Sequence, residues 1–229
     1  MATQKPKGKA LTVAAFGARG TGKTVWVRQL IDQANPPRLL IWDFKHDPGL
    51  EGLGDAVKSL PEVIRRCKGQ GFRIRYLVDH GRDLQAQFDL FCQAAWLAGN
   101  VLVFVDELPE VTKANKAPAA WRRIVNIGRE YRGSDGKLRH ISIIGAGQRP
   151  AECDKSFISN CDVIHTGRLS HAGDARQIAE FMGCDYAELM HLKDLHWIER
   201  RAGVVDPLRG EIKFSLPKKT SRKRSEILP

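Results

Sequence analysis

Residues 11–24 read Leu11-Thr12-Val13-Ala14-Ala15-Phe16-Gly17-Ala18-Arg19-Gly20-Thr21-Gly22-Lys23-Thr24, and this stretch decides the fold. The apolar, β-branched run from Leu11 to Phe16 stops at Gly17. The next eight residues fit G-x-x-x-x-G-K-[ST] at every fixed position. Helical spacing follows from Thr24, with Val25, Val27, Leu30 and Ile31 apolar, and ends at Asn35-Pro36-Pro37. Strand, glycine loop and helix in that order make a phosphate cradle. The glycines let backbone N–H groups turn inward as an anion nest. The helix aims the positive end of its dipole at the phosphates. Lys23 is placed to reach the β- and γ-phosphate oxygens of ATP, and the Thr24 hydroxyl to ligate Mg²⁺. Gly17, Gly20, Thr21 and Gly22 complete the loop wall of this candidate nucleotide site. Arg19 and Thr21 stand at variable positions of the motif and carry no individual role.

Outward from the loop, apolar runs and helical patterns alternate. Arg38–Asp43 and Val101–Val105 read as buried strands, and Phe72–Val78 as a strand with one wetter face. His140–Ile144 and Asp162–Thr166 are further strands. Helices are expected over Asp55–Gln70 (interrupted near Pro61), Arg82–Ala98, Pro118–Arg132 and Ala172–Met182, and a β-rich stretch over His196–Leu216. The pattern is α/β, a mainly parallel central sheet with helices on both faces and a short β-rich C-terminal extension.

Asp106 and Glu107 follow Val101–Val105 directly. A buried strand ending in adjacent carboxylates suits a phosphate-loop hydrolase. Asp106 would hold the Mg²⁺ hydration shell, and Glu107 would polarise the attacking water as general base. Guanine-specific enzymes need N-K-x-D, and Asn115-Lys116-Ala117-Pro118 lacks the aspartate, so a GTPase is disfavoured.

The 229 residues suit one α/β domain with small additions, and 42% hydrophobic with 28% charged is a globular composition. No apolar run approaches the roughly 18 residues of a membrane span, and residues 1–10 hold no signal-peptide core, so a cytosolic chain is expected. Five scattered cysteines without C-x-x-C, and seven dispersed histidines without H-E-x-x-H, predict reduced thiols and no metal centre of their own.

The formal net charge of +11 is unevenly placed. Residues 1–10 hold +3 and residues 217–229 hold +4, and both ends are expected to be mobile basic segments flanking a domain at 11–216. Lys113–Arg132 alone carries six cations against Glu130. Lys113, Lys116, Arg122 and Arg123 are the candidate DNA contacts, directed at phosphates and indifferent to sequence. A solvated basic helix face is the equal alternative.

His140–Ile144 leads into Gly145-Ala146-Gly147-Gln148-Arg149-Pro150. An amide at that strand tip can bond both the γ-phosphate and the attacking water, which makes Gln148 a candidate sensor. By composition alone the segment is only a turn. Gly128-Arg129-Glu130-Tyr131, then the strand, then Gln148-Arg149-Pro150, resembles the HerA/FtsK superfamily of DNA-pumping ATPases. Ile41-Trp42-Asp43-Phe44-Lys45 is similar to that family's "hhDxK" segment. The likeness spans roughly residues 11–170 and is nearest to genome-packaging ATPases of membrane-containing icosahedral phages. It implies a RecA-like (ASCE) P-loop NTPase domain in a homo-oligomeric ring, a hexamer, with double-stranded DNA through the centre. It also implies an arginine acting on the neighbouring subunit's ATP, for which Arg129, Arg132 and Arg149 are the candidates. Ser134-Asp135-Gly136-Lys137 departs from the family pattern as an insertion before the strand. A host-cytoplasmic protein associated with the virion's packaging vertex, meeting capsid or portal proteins there, is the matching expectation. The basic tail would grip DNA, dock on a capsid vertex or a membrane, or do nothing specific.

Two other classes fit parts of the sequence. A P-loop kinase would use Arg65-Arg66 or Arg73 and Arg75 as a lid over its acceptor. A filamentous-phage assembly (Zot-like) ATPase shares the core but ordinarily carries a membrane span after it.

Overall fold

The structure, a computed structural model, describes residues 10–213. The basic ends expected at 1–10 and 217–229 lie outside the described residues, Ala10 apart. The chain forms β1 (Thr12–Phe16), α1 (Lys23–Ala34), β2 (Arg38–Asp43), β3 (Asp55–Val57), α2 (Leu60–Arg66), β4 (Phe72–Leu77), α3 (Leu84–Ala98) and β5 (Val101–Val105). It continues through α4 (Leu108–Val111), α5 (Ala119–Ile127), β6 (Tyr131–Arg132), β7 (Leu138–Arg139), β8 (Ile141–Gly147), α6 (Lys155–Ser159) and β9 (Val163–Thr166). It ends with α7 (Ala172–Met182), α8 (Tyr186–His191), β10 (His196–Arg201) and β11 (Leu208–Glu211).

Nine strands form one sheet in the order β11-β10-β9-β1-β8-β5-β2-β4-β3. The seven from β9 to β3 are parallel, and β10 and β11 close one edge antiparallel. The parallel strands therefore all present their C-terminal ends to one edge, where ligands of open α/β sheets bind. β8 lies between β1 and β5, in register Val13↔Ile144 and Val103↔Ile143. That order brings the glycine loop after β1, the carboxylates after β5 and Gln148 after β8 side by side.

Period-two alternation splits each strand between two cores. Ala14, Phe16, Leu40, Trp42, Val103 and Val105 face the larger one, covered by α2, α3, α5, α6 and α7. Val13, Ala15, Leu39, Ile41 and Phe104 face the smaller one, where α1 contributes Val27 and Ile31. Trp42 anchors the larger core, with its ring centroid 5.1 Å from Phe88 and 5.4 Å from Phe91. Full burial of each such side chain contributes about 1.5–3 kcal/mol. Trp121 is wholly buried, and its indole N–H donates to Asp154 Oδ2 at 3.1 Å.

Two expected helices are corrected. Asp55–Gln70 is not one interrupted helix: Asp55–Val57 pairs with β4, and Pro61 lies in the first turn of α2, where its missing N–H is not needed. Pro118–Arg132 is not helical throughout. α5 stops at Ile127, and Tyr131–Arg132 pairs with Leu138–Arg139 as a hairpin whose tip is Ser134–Lys137, turned by Gly136 at φ +73°. β8 also runs on to Gly147, three residues past the expected end. A Cβ at Gly147 would meet the Pro109 ring at 2.6 Å, so the small residue lets α4 close onto the strand tip.

Candidate active site

The loop after β1 takes left-handed conformations at Gly20 (φ +82°) and Gly22 (φ +89°), which only glycine adopts without strain. Gly22 caps α1 with no side chain on the first N–H groups and no acid in the first turn, so the helix dipole faces the cleft uncompensated. Lys23 Nζ donates to the Gly17 and Ala18 carbonyls at 2.7 and 3.0 Å. Burial is the chief force lowering its pKa. The Thr24 hydroxyl donates to Asp47 Oδ2 at 3.0 Å. Gly17 and Thr21, expected among the nucleotide-binding residues, do not line the cleft. Thr21 is buried behind the loop, its hydroxyl donating to the Ala18 carbonyl at 2.9 Å, and a Cβ on Gly17 would collide with it at 2.6 Å. These two residues shape the cradle from beneath.

Asp106 leaves β5 with its N–H on the Trp42 carbonyl at 3.0 Å. Its Oδ2 is buried with no partner among the described residues. Burial first, and the Glu107 charge second, push its carboxyl from an ordinary 3.8 to about 7. Glu107 sits at φ +47°, a strained conformation for a residue with a Cβ, costing about 1–3 kcal/mol. That turn starts α4 and points the carboxylate back into the cleft. Its Oε1 accepts from Gln148 Nε2 at 3.0 Å and from the Lys45 ammonium. Lys23, Thr24, Lys45, Asp106, Glu107 and Gln148 thus line one open cleft of about 840 Å³.

An orphaned, buried carboxylate oxygen on Asp106 and the Thr24 hydroxyl in the same cleft are hard oxygen donors, which suits Mg²⁺. Asp106 and Thr24 would hold the ion, which when bound would neutralise phosphate charge. The backbone nest and Lys23 suit a triphosphate, and Glu107 with Gln148 suits a water poised for in-line attack.

Sequence reasoning gave no role to several residues after β2. Lys45 reaches Glu107, and Asp47 holds Thr24. Beneath them the buried Asp43 accepts the Asp47 N–H at 2.9 Å, with Arg75 Nη1 at 3.6 Å from its other oxygen. The one signal was the Ile41–Lys45 segment; the pairing of β2 with β5 turns it into a site.

The other candidates lie elsewhere. Arg129 pairs with Asp162 Oδ1 at 2.9 Å, next to the start of β9 and hence at the sheet edge away from the cleft. Arg132 is exposed on the hairpin and donates to the Gly136 carbonyl. Arg149 pairs with the buried Asp174 at 2.8 Å and with Glu152 at 3.0 Å. Lys113 and Lys116 form a tight exposed turn after α4, at the cleft's edge of the sheet. Arg122 and Arg123 are exposed on α5, with Arg123 5.4 Å over the Trp96 ring. The arginines of a kinase lid do not line the cleft. Arg65 and Arg66 pair with Glu62, Arg73 donates to the Leu53 carbonyl, and Arg75 is buried under Asp43. No helix among the described residues is long and apolar enough to cross a membrane.

Protein P9 of Pseudoalteromonas phage PM2 is 26% identical over 183 residues, 78% of this chain and 78% of that protein. The genome packaging NTPase B204 from Sulfolobus turreted icosahedral virus 2, in complex with AMPPCP, shares the fold. Its TM-score is 0.70 over 90% of this chain and 99% of that one, at 15% identity. VirB4 of Thermoanaerobacter pseudethanolicus is similar over 89% of this chain and 90% of that one, with TM-score 0.61 at 10% identity. The model of one family matches residues 13–168, from β1 through β9, and so takes in the glycine loop, the carboxylates after β5 and Gln148. The chain belongs to the ATPase family associated with various cellular activities (AAA).

Proposed function

We propose that this ATPase is a motor that translocates double-stranded DNA and packages a viral genome into a preformed capsid. The observation that carries the reading is the convergence at three adjacent strand ends. Lys23 and Thr24 follow β1, Gln148 follows β8, and Asp106 and Glu107 follow β5. In the proposed reaction, water held by Glu107 attacks the γ-phosphorus of ATP and passes a proton to the carboxylate. The bond to the β,γ-bridging oxygen breaks, and ADP and phosphate leave. Lys23 and the loop N–H groups bear the growing charge. Thr24 and Asp106 would hold Mg²⁺, which would neutralise phosphate charge.

The packaging role is supported by the fold shared with an NTPase described as genome-packaging, and by the likeness to a phage protein. The ring, a hexamer in this reading, places ATP between neighbours, with Arg129, Arg132 or Arg149 completing the next subunit's site. Arg132 is the one of the three that carries no carboxylate partner among the described residues. Lys113 and Lys116 directly follow the Glu107 turn, so a change at the carboxylate is one short helix away from them. We place DNA phosphates there, with Arg122 and Arg123 farther along α5. The protein would work in the host cytoplasm and at the packaging vertex of the virion. Hydrolysis stimulated by double-stranded DNA, together with ring formation, tests the reading. Phosphoryl transfer to a nucleoside monophosphate without DNA stimulation would overturn it.

A further inference from the structure

The phosphate loop ends at Gly22, in a left-handed turn at φ +89°. Glycine permits that turn but does not enforce it, because its backbone is the freest in the chain. The loop N–H groups make an anion nest only while each residue holds its turn. Two side chains from after α8 press on this one. A Cβ built on Gly22 would meet Ile212 Cδ1 at 2.5 Å and Leu195 Cδ2 at 3.1 Å. Both residues lie beyond 13–168, the range matched by the family model.

The antiparallel pair β10–β11 carries them there. Leu195 immediately precedes β10 and Ile212 immediately follows β11, so the two stand side by side at the open end of the pair. The Ile212 N–H donates to the Leu195 carbonyl at 2.8 Å. α1 packs over this edge of the sheet, where Trp26 stacks on His165 of β9 with ring centroids 3.9 Å apart. The chain is fastened on both sides of Ile212. Arg209 of β11 donates to the two Glu188 oxygens of α8 at 2.6 and 2.8 Å, and Gln29 of α1 donates to the Lys213 carbonyl at 2.9 Å. Leu195 holds φ +65°, which a residue with a Cβ adopts only when its surroundings fix it. Leu195 lines the nucleotide cleft; Ile212, only 5% exposed, does not.

We propose that Ile212 is a positioning residue for the nucleotide. It locks Gly22 in its left-handed turn and so presents the loop N–H groups preformed to the β- and γ-phosphates. Ile212 acts through Gly22 from outside the cleft. Its Cδ1 methyl fills the space that a side chain on residue 22 would need. Without that methyl the turn is one of several open to a glycine, and the nucleotide has to order it on binding. AMP lacks both phosphates that Lys23 is placed to reach, so it gains little from an ordered loop. This role rests on the reading of the loop as the seat of ATP's phosphates.

The test titrates the full chain, with Mg²⁺, against AMPPCP, ADP and AMP. Ile212→Ala is expected to lose about 5- to 30-fold in affinity for AMPPCP and ADP, the worth of one residue's backbone order, and to keep AMP affinity within about twofold. Ile212→Val removes only the methyl that rests on Gly22. It carries the same comparison should the Ala variant fail to fold, with a smaller loss for the same two nucleotides. Ile212→Leu still reaches Gly22 with a methyl and is expected to retain most of the affinity. Unchanged AMPPCP and ADP affinity in the folded Ala or Val variant overturns the proposal. Equal loss of all three nucleotides, which a general loosening of the fold would give, overturns it as well. Lys23→Ala separates the two readings. Loss of AMPPCP and ADP keeps the ATPase reading while Ile212 is judged on its own ratio; unchanged binding of both overturns the ATPase reading and this proposal with it.

Discussion

Replacing Asp106 with Asn should change how the protein's stability responds to pH and to Mg²⁺. The Asp106 carboxyl is buried beside Glu107, and its pKa stands at about 7 against an ordinary 3.8. The folded protein therefore holds a proton there that the unfolded chain releases. Stability is full below pH 3.8 and falls as pH rises toward 7. Ionising a carboxyl held about three pH units above its unfolded value costs about 4 kcal/mol, and about 2.5 kcal/mol of that falls between pH 5 and pH 8. Urea unfolding in EDTA at those two pH values measures it. The unaltered protein should lose about that much more stability between them than Asp106→Asn. Mg²⁺ bound only by the folded state should restore stability at pH 8 in the unaltered protein and much less in the variant. Equal pH dependence in both proteins, or equal stabilisation by Mg²⁺, would refute the assignment of Asp106 as a buried metal ligand.

Glu107→Gln keeps the shape and the Gln148 contact but cannot take a proton, so single-turnover hydrolysis should slow by about 10²- to 10⁴-fold while ATP still binds. Trp121→Ala empties a fully buried site and leaves Asp154 without its indole donor, so urea or thermal unfolding should show a loss of about 3–5 kcal/mol. Deleting residues 217–229 removes a net +4. It should reduce the salt dependence of DNA binding and leave ATP binding as it was, both read by titration across ionic strengths.

The parts of the fold that rest on local pattern were legible in the sequence. The glycine loop, its strand and its helix announce themselves by spacing, and Val101–Val105 by unbroken apolarity. Asp55–Val57 was not legible as a strand. It is a three-residue edge strand with two exposed positions, and its identity comes from pairing with β4 rather than from its own composition. Tyr131–Arg132 stands in a run of cations that continues the pattern of the preceding helix, and its strand character comes from pairing with Leu138–Arg139. Gly128, which caps α5, and Gly136 at φ +73° in the hairpin tip are the stop and turn signals there. The same division runs through the site. Lys23, Thr24, Asp106 and Glu107 each sit in a recognisable string. Lys45 and Asp47 acquire partners only because β2 lies beside β5 and its following loop folds back over α1, contacts of 62 and 23 residues' separation. Arg129 was singled out by a motif, but its attachment to Asp162, 33 residues away, is a tertiary fact.

In the proposed motor, ATP hydrolysis in this cleft moves double-stranded DNA. The most direct measurement is displacement of a triplex-forming strand from linear duplex by the full chain, with ATP and with AMPPCP in parallel. Displacement with ATP, absent with AMPPCP and abolished by Glu107→Gln, is the predicted result. An intact triplex while Lys23-dependent ATP hydrolysis proceeds at the same rate with and without DNA would contradict it.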